Sequence, residues 1–430
     1  MIDKINSLIF YVFLFFLPWQ TIFIFKEIQI ANEKFQYGTI GIYFFEIVLL
    51  FWVLLNSFLL KKCDNKKLLF AVLLFAVYVT FSVFWAPNKI LALSYLLPLI
   101  LGIFSFLILQ KKILNFKKFT FVFILSISLH GILGIYQFLN QSVYANKWLG
   151  ISEHLAWQGG SSVLETSTER FLRAYGGMPH PNILGGFLII AILLGIGAYL
   201  KTSFLEKYWK YFLLFIIPIN FLALLTTFSR SALLALFFGL LVLFSYYIYS
   251  KKFIKIKNIL FLSITLFTIG ILFFYLFSNL LTNRINISSR LEKKSINERH
   301  LLIKESQKII TQKSILGTGL GNYTYTILKN KKEIPQEIWR IQPVHNIYLL
   351  IFAELGIIGF SLFLFIVIFI IYDFLESFSK QNTNRVIFST ITLSLLILSL
   401  FDHWLWTTHS GIIVFWILLG FSREKYIGDF

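Results

Sequence analysis

Residues 343–359 read PVHNIYLLIFAELGIIG. Pro343, His345 and Asn346 open a run that stays apolar as far as Tyr372, with Glu354 as the one acid inside it. An uninterrupted apolar run of about 20 residues is what a helix needs to cross a lipid hydrocarbon core. This stretch therefore predicts a membrane-spanning helix with a polar entrance. The longest part of the chain without such runs, residues 280–344, leads straight into that entrance. A histidine there can exchange a proton near neutral pH, which suits general-base work. A plain helix-cap or interfacial role is the other reading of His345 on position alone. Asn346 is placed to cap the helix or to orient the histidine.

The same apolar pattern recurs outward from this point. Of 430 residues, 57% are hydrophobic, 19% aromatic and only 14% charged. No soluble domain could hide that much apolar surface, and the strands of a membrane barrel are too short and too alternating to produce such runs. We expect an all-α polytopic membrane protein forming a single integral-membrane domain over 1–430. About twelve spans are drawn, at 5–24, 39–60, 68–84, 90–109, 119–140, 181–200, 211–228, 231–249, 258–279, 345–371, 386–402 and 409–422. The first apolar run ends in LPWQTIF, with no small-residue cleavage site, and is expected to stay as the first helix.

Charge then orients the bundle. Lys4, Lys61, Lys62, Lys66, Lys67, Lys111, Lys112, Lys117, Lys118, Lys201, Lys207, Lys210, Lys251, Lys252, Lys255, Lys257, Lys380, Arg385, Arg423 and Lys425 all fall on one side of the expected spans. The short loops of the other side hold Lys26, Lys34, Lys89 and Arg230. By the positive-inside rule the first side is cytoplasmic, and so are both termini. The formal charge of +19 is thus read as topology-setting lysine, and no nucleic acid is expected as a partner. Cys63, in KKCDNKK, is the only cysteine, which excludes a disulfide framework and a cysteine-based metal site.

Two longer loops fall on the outer side, a smaller one at 141–180 and a large one at 280–344, between the ninth and tenth spans. In the second, INERHLLIKESQKII at 296–310 spaces Ile296, Leu302, Ile303, Ile309 and Ile310 as an amphipathic helix, which SILGTGLGNY then breaks. Gly317, Gly319 and Gly321 do not follow a strand, so a dinucleotide loop is rejected.

Several polar residues bear on chemistry. Arg230, in TTFSRSALLALFFG, lies at membrane depth with no acid nearby in sequence. It is either a snorkelling anchor or an anion contact, and its place on the non-basic side favours the second. A planar guanidinium fork suits phosphate. Arg299 heads the amphipathic stretch and reads, on composition alone, as a solvated charge. Arg173, His180 and Asn182 lead into the sixth span in RAYGGMPHPNILGGFL, which reads more readily as a helix start than as catalysis. Asp402, His403 and His409, in FDHWLWTTHSG, offer metal-ligand chemistry, but the spacing matches no recognised zinc pattern, and we expect no metal and no cofactor. Glu354 lies too deep to touch His345 and reads as support. Glu46 and His130 are expected to find partners within the bundle.

These residues also carry a resemblance. RAYGGMPHPNILGGFL at 173–188, SRSALLAL at 229–236, the stretch from Arg299 through SILGTGLGNY, and PVHNIYLLIFAELGIIG occur in an order that resembles the O-antigen ligase superfamily of Wzy_C-type membrane proteins. That superfamily includes O-antigen ligases, O-antigen polymerases and protein O-oligosaccharyltransferases. The resemblance implies a GT-C-like, metal-independent, inverting glycosyltransferase in a bacterial cytoplasmic membrane, with its site facing the periplasm or cell exterior. The donor would be a glycan on undecaprenyl diphosphate and the acceptor a hydroxyl on a glycan, lipid or protein. It implies that Arg230 and Arg299 hold the diphosphate and that His345 is the base. Arg284 and Arg290 stand close to Arg299, and the choice among them stays open. A non-enzymatic polysaccharide or lipid transporter is the rival from another class. It fits twelve spans, but not polar chemistry gathered at one face.

Overall fold

The computed structural model describes residues 2–30, 33–58, 66–110, 115–166, 169–202, 206–285, 290–331 and 338–422. Cys63 and the basic residues Lys61, Lys62, Lys111, Lys112, Arg423 and Lys425 lie outside them, as do the side chains of Lys66 and Arg284.

The protein is mostly helical, as expected, and among the described residues seven helices are long and apolar enough to cross a membrane. These are α4 (Lys89–Leu109), α5 (Phe116–Asn140), α6 (Pro181–Lys201), α7 (Lys207–Thr226), α8 (Arg230–Tyr249), α9 (Phe253–Leu276) and α13 (Ile347–Ser379). Five shorter apolar helices stand where the other spans were drawn: α1 (Ile2–Phe16), α2 (Phe44–Leu55), α3 (Lys66–Ser82), α14 (Thr383–Leu398) and α16 (His409–Phe421). Between α9 and α13 come α10 (Ser278–Ile285), α11 (Arg290–Gln312) and α12 (Tyr323–Asn330), and α15 (Trp404–Thr407) is a single turn before α16. The helix expected at 296–310 is thus the middle of the longer α11.

The centre of the bundle is α6. Every residue from Pro181 to Leu200 is buried, whereas the apolar stretch of α9 is only 22% buried and faces outward. Glycines let the neighbours of α6 approach closely. A Cβ at Gly186 would lie 2.4 Å from the Trp404 ring, and one at Gly197 would lie 2.7 Å from Ile387. Where lipid removes the hydrophobic drive between helices, such close van der Waals packing is what holds them together.

The spans expected at 5–24 and 39–60 are each cut short. Between α1 and α2 the chain forms an antiparallel hairpin, β1 (Ile22–Ile30) and β2 (Glu33–Tyr43), with Ile22 opposite Tyr43. Pro18 disfavours helix in the residue before it and cannot donate within one, so α1 stops. The β-branched alternation IFIFKEIQI then favours a strand. Short two-stranded ladders also fold the 141–180 segment: β3 (Ser142–Val143) with β4 (His154–Leu155), and β5 (Val163–Glu165) with β6 (Arg170–Leu172).

The long helix α13 is broken at Gly356, where φ is +64° and ψ −171°. An interrupted helix within a membrane protein must have its freed backbone groups satisfied by other protein groups. Here the glycine-rich segment does so. Thr318 N–H donates to the Ala353 carbonyl at 3.0 Å, Gly319 N–H to the Glu354 carbonyl at 2.7 Å, and Ile357 N–H to the Ser314 carbonyl at 2.8 Å. The Glu354 carboxylate accepts from the Gly321 and Tyr323 amides and from Trp406 Nε1 at 2.8 Å, so the acid in the span is fully partnered. A Cβ at Gly356 would sit 2.1 Å from the Ile315 carbonyl oxygen. Gly356→Ala should therefore destabilise the protein by about 2 kcal/mol or more, from a left-handed backbone and a backbone clash together. Thermal unfolding in detergent, compared with Ala353→Gly in the adjacent regular turn, measures it.

Candidate functional site

The ends of five helices meet at one end of the bundle, and polar contacts define how. Ile347 N–H at the start of α13 donates to Ser399 O at the end of α14. Asn346 caps α13 by accepting from Leu349 N–H, and its own amide donates to Leu400 O. His180 caps α6, its Nδ1 accepting from Asn182 N–H at 3.1 Å. Arg173 is buried and threads the α7–α8 turn: Nε donates to Thr227 O at 2.7 Å, NH1 to Ser162 Oγ at 2.8 Å and NH2 to Asn182 Oδ1 at 2.7 Å. Asn182 passes the interaction on, donating from Nδ2 to Asp402 Oδ2 at 2.8 Å.

Asp402 is the hub. Its Oδ1 accepts from the amides of His403 and Trp404, at 2.8 and 3.3 Å. The His345 and His403 rings lie 4.9 Å apart, and the ligand atoms of His345, Asp402 and His403 all lie within 4.8 Å of one another. His403 Nδ1 is 2.7 Å from the Thr407 hydroxyl. His345 Nδ1 is buried and has no hydrogen-bond partner among the described residues. An unpartnered buried nitrogen of this kind calls for an explanation, and a bound substrate group or water is the ordinary one.

The electrostatics keep the imidazoles neutral. Burial is the main force holding His345 down at about 3, against an ordinary 6.5; His403 and Arg299 add to it and Asp402 opposes. His180 is held at about 3 by burial first and Arg173 next, again against Asp402. Burial also lowers His403, with Asp402 opposing. For Asp402 burial acts upward, but His403, His345, His180 and the Asn182 hydrogen bond outweigh it and bring the carboxyl to about 2.

Arg299, on α11, is within reach of this group. Burial lowers its pKa, with Asp402 and Glu292 opposing and Arg230 adding to the effect. A guanidinium stays charged throughout. Arg230 heads α8 and its NH2 lies 3.3 Å from Glu292 Oε2, with its side chain 48% exposed. The two arginines expected to act together are thus electrostatic neighbours. Arg290 is not with them: it lies 68% exposed and pairs with Glu165 on β5, at 3.3 Å. His409 also departs from the grouping read with Asp402 and His403, because its Nδ1 pairs with Glu46 at 2.8 Å. His345, distant in sequence, takes that place. Glu46 finds its partner there and also accepts from Tyr43 N–H, and His130 Nδ1 accepts from Gly177 N–H, as expected of polar residues within spans.

Three contributors gave no sequence signal. Glu292 lies 62 residues from Arg230, hidden among lysines. Tyr37, whose ring is 6.2 Å from that of His403, sits on a hairpin drawn as helix and loop. Thr407 fell in the short segment between the last two expected spans, with nothing there to mark it.

The arrangement defines a multi-pass membrane protein with a histidine–aspartate–arginine cluster at the helix ends of one side. A family model described as O-Antigen ligase (Wzy_C) matches residues 211–364, from α7 into α13, which bears out the resemblance seen in the sequence. The matched stretch includes Arg230, Arg299, His345 and Glu354, and the rest of the cluster lies outside it. The match supports a membrane function of the glycan-transferring ligase or polymerase kind. No curated protein matches the chain.

Lowered imidazole and carboxyl pKa values also predict acid lability. Between pH 6.5 and 3 the unfolded chain binds protons on His180, His345 and His403 that the folded protein refuses, so stability present above 6.5 is lost as pH falls. Asp402 adds a loss of the same sign as pH drops from 3.8 towards 2. The melting temperature in detergent should decline from pH 6.5 to 4, and His345→Gln with His403→Gln should flatten that decline. A wild-type profile that is level across the window would contradict buried neutral imidazoles.

Proposed function

We propose that the protein is a membrane glycosyltransferase that moves a glycan from undecaprenyl diphosphate to an acceptor hydroxyl on the extracytoplasmic side, as an O-antigen ligase or polysaccharide polymerase does. The observation that carries the reading is a half-buried His345, its Nδ1 buried and without a hydrogen-bond partner among the described residues, in the electrostatic neighbourhood of Arg299, which in turn neighbours Arg230. A neutral His345 imidazole keeps one ring N–H and offers its other nitrogen as a proton acceptor. The guanidiniums offer hydrogen-bond donors to an anion, Arg230 from the start of α8 and Arg299 from within α11. One carboxylate, Asp402, is held beside the histidines by donors of its own.

The chemistry follows as a single displacement. An acceptor hydroxyl attacks the anomeric carbon and its proton passes to the His345 imidazole. The bond from that carbon to the diphosphate oxygen breaks as the new glycosidic bond forms, and the configuration inverts. Arg230 and Arg299 stabilise the charge that builds on the departing diphosphate, which is worth most where water is scarce. In this reading Glu292 holds Arg230 until the diphosphate displaces it. Asp402 favours the imidazolium that His345 becomes. Arg173, His180 and Asn182 position Asp402.

A metal-held mechanism is the second reading, since His345, Asp402 and His403 bring ligand atoms together. Against it, both Asp402 oxygens already accept hydrogen bonds, and Arg299 raises the cost of a cation nearby. The transfer should therefore continue in chelator.

The experiment is transfer in membranes or detergent with a lipid-diphosphate-linked donor. His345→Ala should lower the rate by about 10²–10⁴-fold. Arg230→Ala and Arg299→Ala should each lower it by about 10²-fold or more. Arg290→Ala should leave it near wild type. Full activity in His345→Ala would remove the base assignment, and loss of activity in chelator, restored by a divalent ion, would favour the metal reading.

A further inference from the structure

The end of the bundle opposite the His345 cluster carries a basic corner of its own. α6 runs from the His180 cap to Lys201 and α8 from Arg230 to Tyr249, so both helices finish there. α7 and α9 start at the same end and pack against each other. Lys251, with φ +53°, turns the chain from α8 into α9, and Lys252 N–H donates to Tyr247 O at 3.1 Å.

Three lysines converge in this corner. Lys210, in the first turn of α7, lies 5.2 Å from the centre of the Tyr199 ring, and Lys252 lies 6.0 Å from that of Tyr246. Both tyrosines are buried, and the Tyr246 hydroxyl is held by Gln381 O and Thr383 Oγ1. Lys255, in the first turn of α9, has Lys210 and Lys252 as its electrostatic neighbours. All three are half-buried, and none forms an ion pair among the described residues. Other lysines at this end do find partners: Lys117 pairs with Glu206, Lys380 with Glu376 at 2.6 Å, and Lys201 with Asn384 Oδ1. A lysine needed only to set topology would extend its ammonium into water. Half-buried like charges repel more strongly than solvated ones, and an anion seated between them relieves the repulsion.

The surroundings select the anion. Tyr208, in the same turn as Lys210, is exposed, and so are Phe253 and Ile254, in the same turn as Lys255. Further along α9, Phe261 and Ile264 are exposed as well. A free phosphate would leave that apolar surface uncovered. An acidic phospholipid brings a phosphodiester for the lysines and acyl chains for the apolar residues, and basic pockets between membrane helices at a cytoplasmic face hold such headgroups.

We propose that Lys210, Lys252 and Lys255 hold the phosphodiester of one acidic glycerophospholipid in the leaflet at this end, with its chains against α9. The site is remote from the His345 cluster and stands whether or not the glycosyl-transfer reading holds.

The test is native mass spectrometry of the full-length protein in detergent. The probes are phosphatidylglycerol, phosphatidylcholine with the same chains, and soluble glycerophosphoglycerol. Phosphatidylglycerol should bind saturably and about tenfold tighter than phosphatidylcholine, with the soluble headgroup weaker than either lipid. Lys210→Gln, Lys252→Gln and Lys255→Gln should each weaken phosphatidylglycerol binding by about fivefold. Lys308→Gln removes the same charge from an exposed position on α11 and should leave binding unchanged. Without lipid, Lys255→Gln should melt no lower than the wild type, because it removes a repulsion, so its lost binding is not unfolding. Equal binding of the two phospholipids, or binding indifferent to all three lysines, overturns the site. Soluble headgroup binding as tight as phosphatidylglycerol overturns the lipid assignment. A lower lipid-free melting temperature for all three variants overturns the repulsion on which the site is argued.

Discussion

A carboxylate buried among apolar helices must be given its own donors, and Asp402 draws them from several regions of the chain. Asn182 on α6 supplies one, the amides that open α15 supply two more, and three imidazoles surround the charge. Because Asn182 is itself held by Arg173, which also grips the α7–α8 turn, the position of Asp402 is tied to the start of α8 and so to Arg230. Removing either end of such a buried network costs more than its hydrogen bonds contribute, because the remaining partner is left desolvated and unpaired. The network thereby ties the start of α8, which Arg230 heads, to Asp402 and the histidines around it.

Glu354 has the matching structural role at a deeper layer. Its carboxylate binds the two amides that follow the glycine-rich segment and the indole of Trp406, while its carbonyl accepts from Gly319. The break at Gly356 is what exposes those carbonyls. The glycine-rich loop thus closes the break in α13.

The membrane class and the approximate positions of the long apolar helices were legible because hydropathy acts over whole segments. Residues 17–43 were not, since a span and a hairpin are both apolar there, and only Pro18 and the strand-like alternation distinguish them. Pairings across many residues were also hidden. Arg230 with Glu292, and His409 with Glu46, join positions whose neighbours in sequence carry no hint of each other. Sequence grouped His409 with Asp402 because they are close along the chain, but the turn at α15 directs His409 into the bundle and leaves room for His345.

The central claim is that this chain makes a glycosidic bond and expels a lipid diphosphate. Purified protein in detergent, given an undecaprenyl-diphosphate oligosaccharide of known anomeric configuration and a soluble hydroxyl acceptor, decides it. The account predicts a product of inverted configuration and one undecaprenyl diphosphate released per bond formed. Retention of configuration, or movement of the intact donor across a bilayer with no new glycosidic bond, would contradict it.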